Sequence, residues 1–452
     1  MKNHWSEGAI FYHIYPLGST GAPRSNDAEA PVTARLEQLY GWLDHIQSLG
    51  ANALYLGPLF ESKSHGYDTL DYFQVDRRLG SRETLAALSA ELHRRGMRLV
   101  LDAVFNHVSR EHWAFRDVLA HGANSPYAGW FHLDFSRQSP YHDPFTYQSW
   151  DGHYSLVKLN TSHPGVRQHL FEAVKDWVNT YDIDGLRLDA ADVMAPAFLS
   201  ALAQHCHDLK PDLWLMGELV QGDYTRLVNS DTLDSCTNYI TYKGLYSSFN
   251  DHNLFEIAHT LRTYFGEGAP YQRLRLYNFA DNHDVDRVAA SLREPAHLHP
   301  LHLLLFSMPG IPSIYYGSEW GWQGKRTPHS DQELRPAIDI RSPGSLPHPE
   351  LAETIRRMAA LRRELPALRL GGYRELLVAS EQLAFLRTWG DEMAVVVVNA
   401  GSAPAQVDID LPGAQGSLVD RLNPGSSYPM VDGRCRITDT APDWGRVLRL
   451  ES

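Results

Sequence analysis

The sequence predicts an α/β fold of eight parallel strands, with a long insertion and an appended antiparallel β-domain, on three observations. Short apolar or β-branched runs alternate with longer helical patterns, the arrangement of parallel strands joined by crossover helices. From Gly371 onward that alternation gives way to closely spaced strand signals with Gly/Pro turns between them. A chain of 452 residues also has room for one large α/β domain carrying an insertion and one further domain. Strand counting by itself does not separate a closed barrel from an open sheet.

The first strand signal is Ala9–Tyr15. The amphipathic stretch Arg35–Leu49 leads to the second, Ala53–Leu56, and Thr84–Arg95 leads to the third, Arg98–Ala103. Gly185–Asp189, Leu213–Gly217, Thr237–Ile240, Leu276–Phe279 and Ser313–Tyr316 complete the eight, with Val166–Tyr181 and Leu351–Arg363 among the helical segments. Thr237–Ile240 carries the weakest pattern. Val108–Trp150 is too long for an ordinary strand-to-helix loop and is dense in aromatic, His, Pro and Gly residues, as binding loops often are. Its Phe145, Tyr147 and Trp150 are expected to form an aromatic stacking wall. Leu383–Trp389, Met393–Asn399 and Gln406–Leu411 read as strands of a small β-sandwich. The expected division is therefore 1–107 and 151–370 for the eight-stranded domain, 108–150 for the insertion and 371–452 for the sandwich.

Composition excludes several function classes. A net charge of −13, with no long Lys/Arg run, argues against a nucleic-acid partner. No stretch of apolar residues is long enough to span a membrane, and MKNHWSEGAIFYHIYP lacks an apolar core behind its lysine, so a cytoplasmic protein is expected. Cys206, Cys236 and Cys435 are far apart and are expected to be buried free thiols. The His/Asp-rich segment Tyr141–His153 holds no helical metal-ligand spacing.

Chemistry enters where acidic residues follow the apolar runs. Asp102 follows Leu99–Leu101, Asp189 follows Gly185–Leu188, Glu218 follows Leu213–Gly217, and Leu276–Phe279 leads to Asp284. Each alone reads equally well as a solvated strand end, but in a parallel barrel all four ends open on one face. Arg187 and Asp189 are two residues apart and share a strand face, so the guanidinium is expected to depress the Asp189 pKa and keep it ionised. Glu218 would have to hold a proton. Two carboxyl groups with opposed requirements suit glycosidic cleavage, by a retaining or an inverting route.

DAVFNH at Asp102–His107, GLRLDAADV at Gly185–Val193, LMGELV at Leu215–Val220 and FADNHD at Phe279–Asp284 resemble, in order, the four signature segments of family 13 of the glycoside hydrolases, the α-amylase family. SLVKLN at Ser155–Asn160 and GIPSIYYGSEWG at Gly310–Gly321 resemble two secondary ones. The resemblance implies a closed (β/α)8 TIM barrel with an insertion after strand 3, a C-terminal antiparallel β-sandwich and a retaining mechanism. It implies Asp189 as nucleophile, Glu218 as general acid/base and Asp284 as the third carboxylate. By the same resemblance Tyr67 stacks on the sugar at the cleavage point, His107 and His283 bond its hydroxyls, and Asp102 orients Arg187.

SLVKLN is similar to the form seen in neopullulanases, cyclomaltodextrinases and maltogenic amylases, which implies short or cyclic α-glucan substrates. Those relatives usually carry an additional N-terminal domain, whereas the first strand here begins at Ala9, so dimerisation through such a domain is not expected and the oligomeric state is left open. No cofactor and no metal site is expected. Ala190–Ala191–Asp192 lacks the Lys-His pair that helps many α-amylases hold calcium, although Asn106 is kept. Leu219–Val220 lacks the aromatic residue often found after the acid/base. Two alternatives stand beside hydrolysis: a transglycosylase or isomerase working through the same covalent intermediate, and a catalytically silent barrel used for binding or assembly.

Overall fold

The computed structural model describes residues 4–328, 330–340 and 346–451. Eight parallel strands form one sheet: β1 (Phe11–Ile14), β2 (Ala53–Leu56), β3 (Arg98–Ala103), β4 (Gly185–Leu188), β5 (Trp214–Gly217), β6 (Ser235–Cys236), β7 (Tyr277–Asn278) and β8 (Ile311–Tyr315). Their order is β6-β5-β4-β3-β2-β1-β8-β7, so neighbours in sequence are neighbours in space. The sheet closes on itself where Thr237 bridges Tyr277 in parallel register. Two hydrogen bonds support that seam, from Asn238 N–H to the Tyr277 carbonyl at 2.9 Å and from Asn238 Nδ2 to Asn278 Oδ1 at 2.7 Å. Gly310 lies against the same corner in the left-handed region, φ +115°, where a Cβ would stand 2.6 Å from the Asn278 side chain.

Side-chain alternation divides the core as a barrel requires. Phe11, Ala53, Tyr55, Val100, Trp214, Met216, Tyr277 and Ile311 point inward and form one buried cluster, with Phe11 stacked on Trp214 at 5.0 Å. Tyr12, Leu54, Leu56, Leu99, Leu101 and Leu186 point outward into the larger core shared with the helices. Those helices are α1 (Tyr40–Ser48), α2 (Arg82–Arg94), α3 (Pro164–Tyr181), α4 (Pro196–Leu209), α5 (Tyr239–Asn250), α6 (Phe255–Phe265), α7 (Leu298–Ser307) and α8 (Leu351–Glu364). Local chemistry explains their limits. Ser81 and Thr84 form a reciprocal capping box at the start of α2. Pro164 begins α3, which ends at left-handed Asp182 after burying Val166, Leu170, Ala173, Val174, Trp177 and Tyr181 along one stripe. Trp177 stacks on Phe60 at 4.1 Å, a contact worth about 0.5–1.5 kcal/mol beyond the area it buries.

The sixth strand departs from expectation. It occupies Ser235–Cys236, not Thr237–Ile240, because the Asn238 side chain accepts the Thr241 N–H and caps α5, which begins at Tyr239. Capping turns an apolar run into a helix start.

The insertion after β3 carries a three-stranded sheet in which His153–Lys158 pairs with His107–Ser109 and Ser149–Trp150, so its pairing extends past residue 150. Beyond Gly371, a six-stranded antiparallel sheet faces a two-stranded one across a core that includes Leu386, Val395, Val397, Val407, Ile409, Leu418, Ile437 and Leu448. The other face of the larger sheet, with Leu383, Phe385, Val396, Val398 and Val447, packs into the core of the barrel helices. Cys206, Cys236 and Cys435 are buried free thiols.

Candidate active site

Every carboxylate read from a strand end reaches the same place. Asp102 lies within β3, Asp189 and Glu218 directly follow β4 and β5, and Asp284 follows β7. Arg187, buried within β4, gathers three of them. Its Nη1 lies 2.8 Å from Asp189 Oδ1 and 3.0 Å from Asp102 Oδ1, and its Nη2 lies 2.9 Å from Glu218 Oε2. Register explains the convergence, since Arg187 stands directly opposite Asp102 on β3 and Met216 on β5. Ala190 adopts a left-handed conformation, φ 49°, which costs roughly 1–2 kcal/mol for a residue with a Cβ. The turn aims the Ala190 N–H at Glu218 Oε2, 3.0 Å away.

Asp284 is held separately. His283 Nε2 lies 2.9 Å from its Oδ2, and Arg335 Nη2 lies 3.2 Å from its Oδ1. Arg335 also donates from Nε to the His283 carbonyl at 3.0 Å and stacks over Tyr15, so one arginine fixes both backbone and side chain of this motif. Nothing around Arg335 in the sequence marks it, because it lies in an irregular segment far beyond the last barrel strand. Tyr239 was also not selected from sequence. It begins α5, packs on Phe279 at 4.9 Å and accepts a bond from Asn282.

Tyr67 lies over this group. Its hydroxyl donates to Asp102 Oδ2 at 3.0 Å, beside a 2.8 Å bond from Tyr55 to the same oxygen, and it also contacts His283 Nε2. The Tyr67 ring runs nearly parallel to His283, 10° between planes. His107 stands beneath the Tyr67 backbone, donating from Nε2 to the Tyr67 carbonyl at 3.0 Å while Asn106 Nδ2 approaches its Nδ1 at 3.2 Å. With both nitrogens engaged, the ring supports the Tyr67 loop. Burial pushes the His107 pKa down to about 3, so the imidazole is neutral.

The electrostatics differ from the expectation that Arg187 depresses Asp189. Burial pushes the Asp189 carboxyl well above the usual range; Arg187 opposes this, while Glu218, Asp102 and Asp284 add to the rise. Burial likewise raises Glu218, again against Arg187 and with help from Asp284. The physical reason is that Arg187 is shared among three carboxyl groups and cannot neutralise them all. Asp284 goes the other way: burial would raise it, but His283 and Arg335 outweigh burial and hold it well below the usual carboxylate range. The surroundings therefore favour the charged form of Asp284 and disfavour that of Asp189 and Glu218.

Two clefts flank these residues. One, of about 450 Å³, is lined by Tyr15, Arg24, His65, Asp331 and Arg335 among others. The second, of about 430 Å³, is lined by Tyr242, Tyr246, Asp284, Asp286, Lys325 and Arg326 among others. The expected stacking wall is corrected in part. Phe145 and Tyr147 are buried against Phe115 in the core of the insertion, and only Trp150 approaches the site, 5.8 Å from the His107 ring. Their apolar surface is consumed by the aromatic core of the insertion, where they pack on Phe115, which also meets Phe131.

Asn106 is turned toward His107, and among the described residues no three His, Cys, Asp or Glu side chains are arranged to hold a metal ion. No helix among the described residues is long and apolar enough to cross a membrane.

Comparison with known proteins agrees with this geometry. Residues 26–343 match the family model described as alpha amylase, catalytic domain. A cyclomaltodextrinase of Geobacillus thermopakistaniensis (strain MAS1) is 30% identical, over 94% of this chain and 74% of its own. An intracellular maltogenic amylase of Bacillus subtilis (strain 168) is 29% identical over 90% of this chain and 70% of its own. The ligand-free cyclic alpha-maltosyl-(1→6)-maltose hydrolase of Arthrobacter globiformis superposes with a TM-score of 0.82 at 28% identity, over 99% of this chain and 100% of that one.

Proposed function

Because the chain belongs to the α-amylase family of glycoside hydrolases, we propose that it is a retaining α-glycosidase acting on short or cyclic α-glucans, with Asp189 as nucleophile and Glu218 as general acid/base. The observation that carries the reading is the single Arg187 guanidinium that contacts Asp189 at 2.8 Å and Glu218 at 2.9 Å. It brings the two carboxyl groups to one guanidinium, the close pairing of nucleophile and acid that double displacement uses.

In the first step Asp189 attacks the anomeric carbon while the Glu218 proton passes to the departing glycosidic oxygen. The bond between carbon and leaving oxygen breaks, and a glycosyl ester to Asp189 forms. In the second step Glu218 takes a proton from water, the water oxygen bonds to the anomeric carbon, and Asp189 is released. Positive charge that develops on the sugar is stabilised by ionised Asp284. Tyr67 offers its ring to the sugar's C–H face, His283 presents Nε2 to a hydroxyl, and His107 holds Tyr67 in place. No cofactor enters the reaction.

Substrate size is supported by the relatives, named cyclomaltodextrinase and maltogenic amylase, and by the structural neighbour named for a cyclic maltosyl-maltose. The name of the Bacillus subtilis relative, an intracellular maltogenic amylase, supports a place inside the cell. The proposed functional division remains the barrel, 1–107 and 151–370, an insertion at 108–150 that lines the site, and the sandwich at 371–452. Chromatography of products from maltotriose, a cyclodextrin, pullulan, starch, sucrose and trehalose tests the reading. Faster turnover of maltotriose or the cyclodextrin than of starch is expected; a clear kinetic preference for starch would overturn the substrate class, and products formed only in the presence of an added sugar acceptor would favour transfer over hydrolysis.

A further inference from the structure

His13 is a titratable residue inside the barrel that the proposed mechanism does not use. Alternation along β1 turns it to the same side as inward-facing Phe11, and register sets it opposite Tyr55 on β2 and Tyr315 on β8. The ring is buried, stacks on Tyr55 at 4.2 Å and meets the Tyr315 ring at 4.8 Å. A further neighbour is His283, 5.2 Å away with 90° between the ring planes. His283 is itself clamped, since its ring runs nearly parallel to Tyr67 at 5.5 Å and to Tyr15 at 5.6 Å. Its Nε2 is engaged by Asp284 and the Tyr67 hydroxyl, but its Nδ1 is buried and has no hydrogen-bond partner among the described residues. His13 Nε2 is in the same condition. Buried polar atoms are rarely left unsatisfied, so two orphans on adjoining rings call for a common explanation.

We propose that His13 is a positioning residue for the glycosidic reaction, whose Nε2–H serves His283 Nδ1, directly or through one bridging water, and thereby holds the hydrogen of His283 on Nε2. This rests on the proposed role of His283 in bonding a sugar hydroxyl. The direction of each bond follows from the acceptors around the pair. Asp102 Oδ2 accepts the Tyr67 hydroxyl hydrogen, which leaves the Tyr67 oxygen free to accept. Asp284 Oδ2 is a carboxylate oxygen and also accepts, so across the 2.9 Å contact the hydrogen belongs to His283 Nε2. An imidazole that carries its hydrogen on Nε2 keeps a bare lone pair on Nδ1, and only a donor satisfies that atom. His13 supplies one. Burial, with His283 and Arg187 beside it, holds its pKa well below the usual imidazole value, so the ring is neutral and carries a single N–H. A separation of 5.2 Å between ring centres is short enough for one bridging water. Without this partner the hydrogen is free to move to Nδ1. That would turn a bare Nε2 toward the Asp284 carboxylate, lone pair against lone pair, and take a donor away from the sugar hydroxyl.

Two measurements on the full chain test this. In the first, heteronuclear NMR of isotope-labelled histidine rings reads which nitrogen of His283 carries hydrogen, its signals being assigned by their loss in His283→Asn. The parent chain at neutral pH should show hydrogen on Nε2 and a bare Nδ1, and His13→Phe should show a mixture of the two tautomers. Hydrogen on Nδ1 in the parent, or an unchanged tautomer in His13→Phe, would overturn the proposal. In the second, kcat and KM on maltotriose are compared for two variants. His13→Phe keeps a ring against Tyr55 and loses the nitrogen, whereas His13→Gln restores a side-chain donor. A fall in kcat of about tenfold is expected in His13→Phe, the worth of one hydrogen bond strengthened in the transition state, with recovery to within about threefold of the parent in His13→Gln. Parent-like kcat in His13→Phe, or no recovery in His13→Gln, would overturn the proposal, because a ring needed only for packing is better replaced by Phe than by Gln. The parent spectrum keeps the test valid if His13→Phe does not fold. A parent chain that shows the Nε2 tautomer, lost in His13→Phe, yet hydrolyses no α-glucan would count against the proposed activity and in favour of the His13–His283 pairing.

Discussion

Arg335 Nη2 lies 3.2 Å from Asp284 Oδ1, and this ion pair joins a residue beyond the last barrel strand to the third carboxylate of the site. Asp284 owes its ionised state to that arginine and to His283, since burial alone would drive it the other way.

Replacing Arg335 with Met should therefore lift the Asp284 pKa and lower kcat/KM by about a hundredfold, through lost charge and displaced geometry. The sign is fixed by the direction of the shift. A carboxyl held below its unfolded value of about 3.9 contributes stability above that pH and loses it as pH falls toward the folded value. The variant should show an acid limb of kcat/KM moved to higher pH and acid unfolding that begins earlier. A pH–rate profile with an unmoved acid limb would remove this role from Arg335.

Asp189→Ala and Glu218→Gln should differ in kind. Losing the nucleophile should abolish nearly all turnover, whereas losing the acid should cost about 10²–10⁴ on natural glucans and much less on an aryl glucoside with a good leaving group. Kinetics on the two substrate types check this, and proton NMR of the first product should show the α-anomer. Initial appearance of the β-anomer would mean inversion.

Glu218 also yields a stability prediction. Its carboxyl is raised by burial, so between its unfolded and folded pKa values the native state binds more protons than the unfolded chain, and stability falls as pH rises through that window. Glu218→Gln removes this dependence while leaving Arg187 its contacts with Asp102 and Asp189. Thermal unfolding should show the variant with the higher Tm at pH 7, and the advantage should vanish below about pH 4, near the unfolded Glu value.

Phe145→Ala separates packing from binding. Because the ring is fully buried beside Phe115, the expected loss is about 3–5 kcal/mol of stability, seen in denaturant titration, with little change in KM for folded protein. A raised KM at unchanged stability would restore the stacking-wall reading.

Asp102, Asp189 and Glu218 were legible because a strand of only four to six residues leaves little room for error about where it ends, and in a parallel barrel the ends decide which side chains meet; Asp284, six residues past the end of β7, was legible through its motif. β6 was not legible, since Thr237–Ile240 satisfies a strand pattern and Asn238 decides the matter by capping a helix instead. Arg335 and Tyr239 were missed for a related reason: they reach the site from an irregular segment and a helix start, where no periodicity indicates direction. The upward shift of Asp189 was beyond reach as well, because it depends on how many carboxyl groups share Arg187, and spacing along the chain shows only one of them.

Mechanically, the barrel is a hoop with a clasp. Seven of its eight junctions are laced by ladders of paired residues, but the junction between β6 and β7 is fastened by the Thr237–Tyr277 bridge, the Asn238 contacts and a 2.7 Å bond from the Ser235 hydroxyl to the Arg275 carbonyl. The clasp joins Asn278, on the strand that leads toward Asp284, to Asn238, the cap of α5. Loosening of the hoop would thus act on the spacing between the strand that leads to the third carboxylate and the start of α5, while Asp189 and Glu218, laced on adjoining staves, keep their separation.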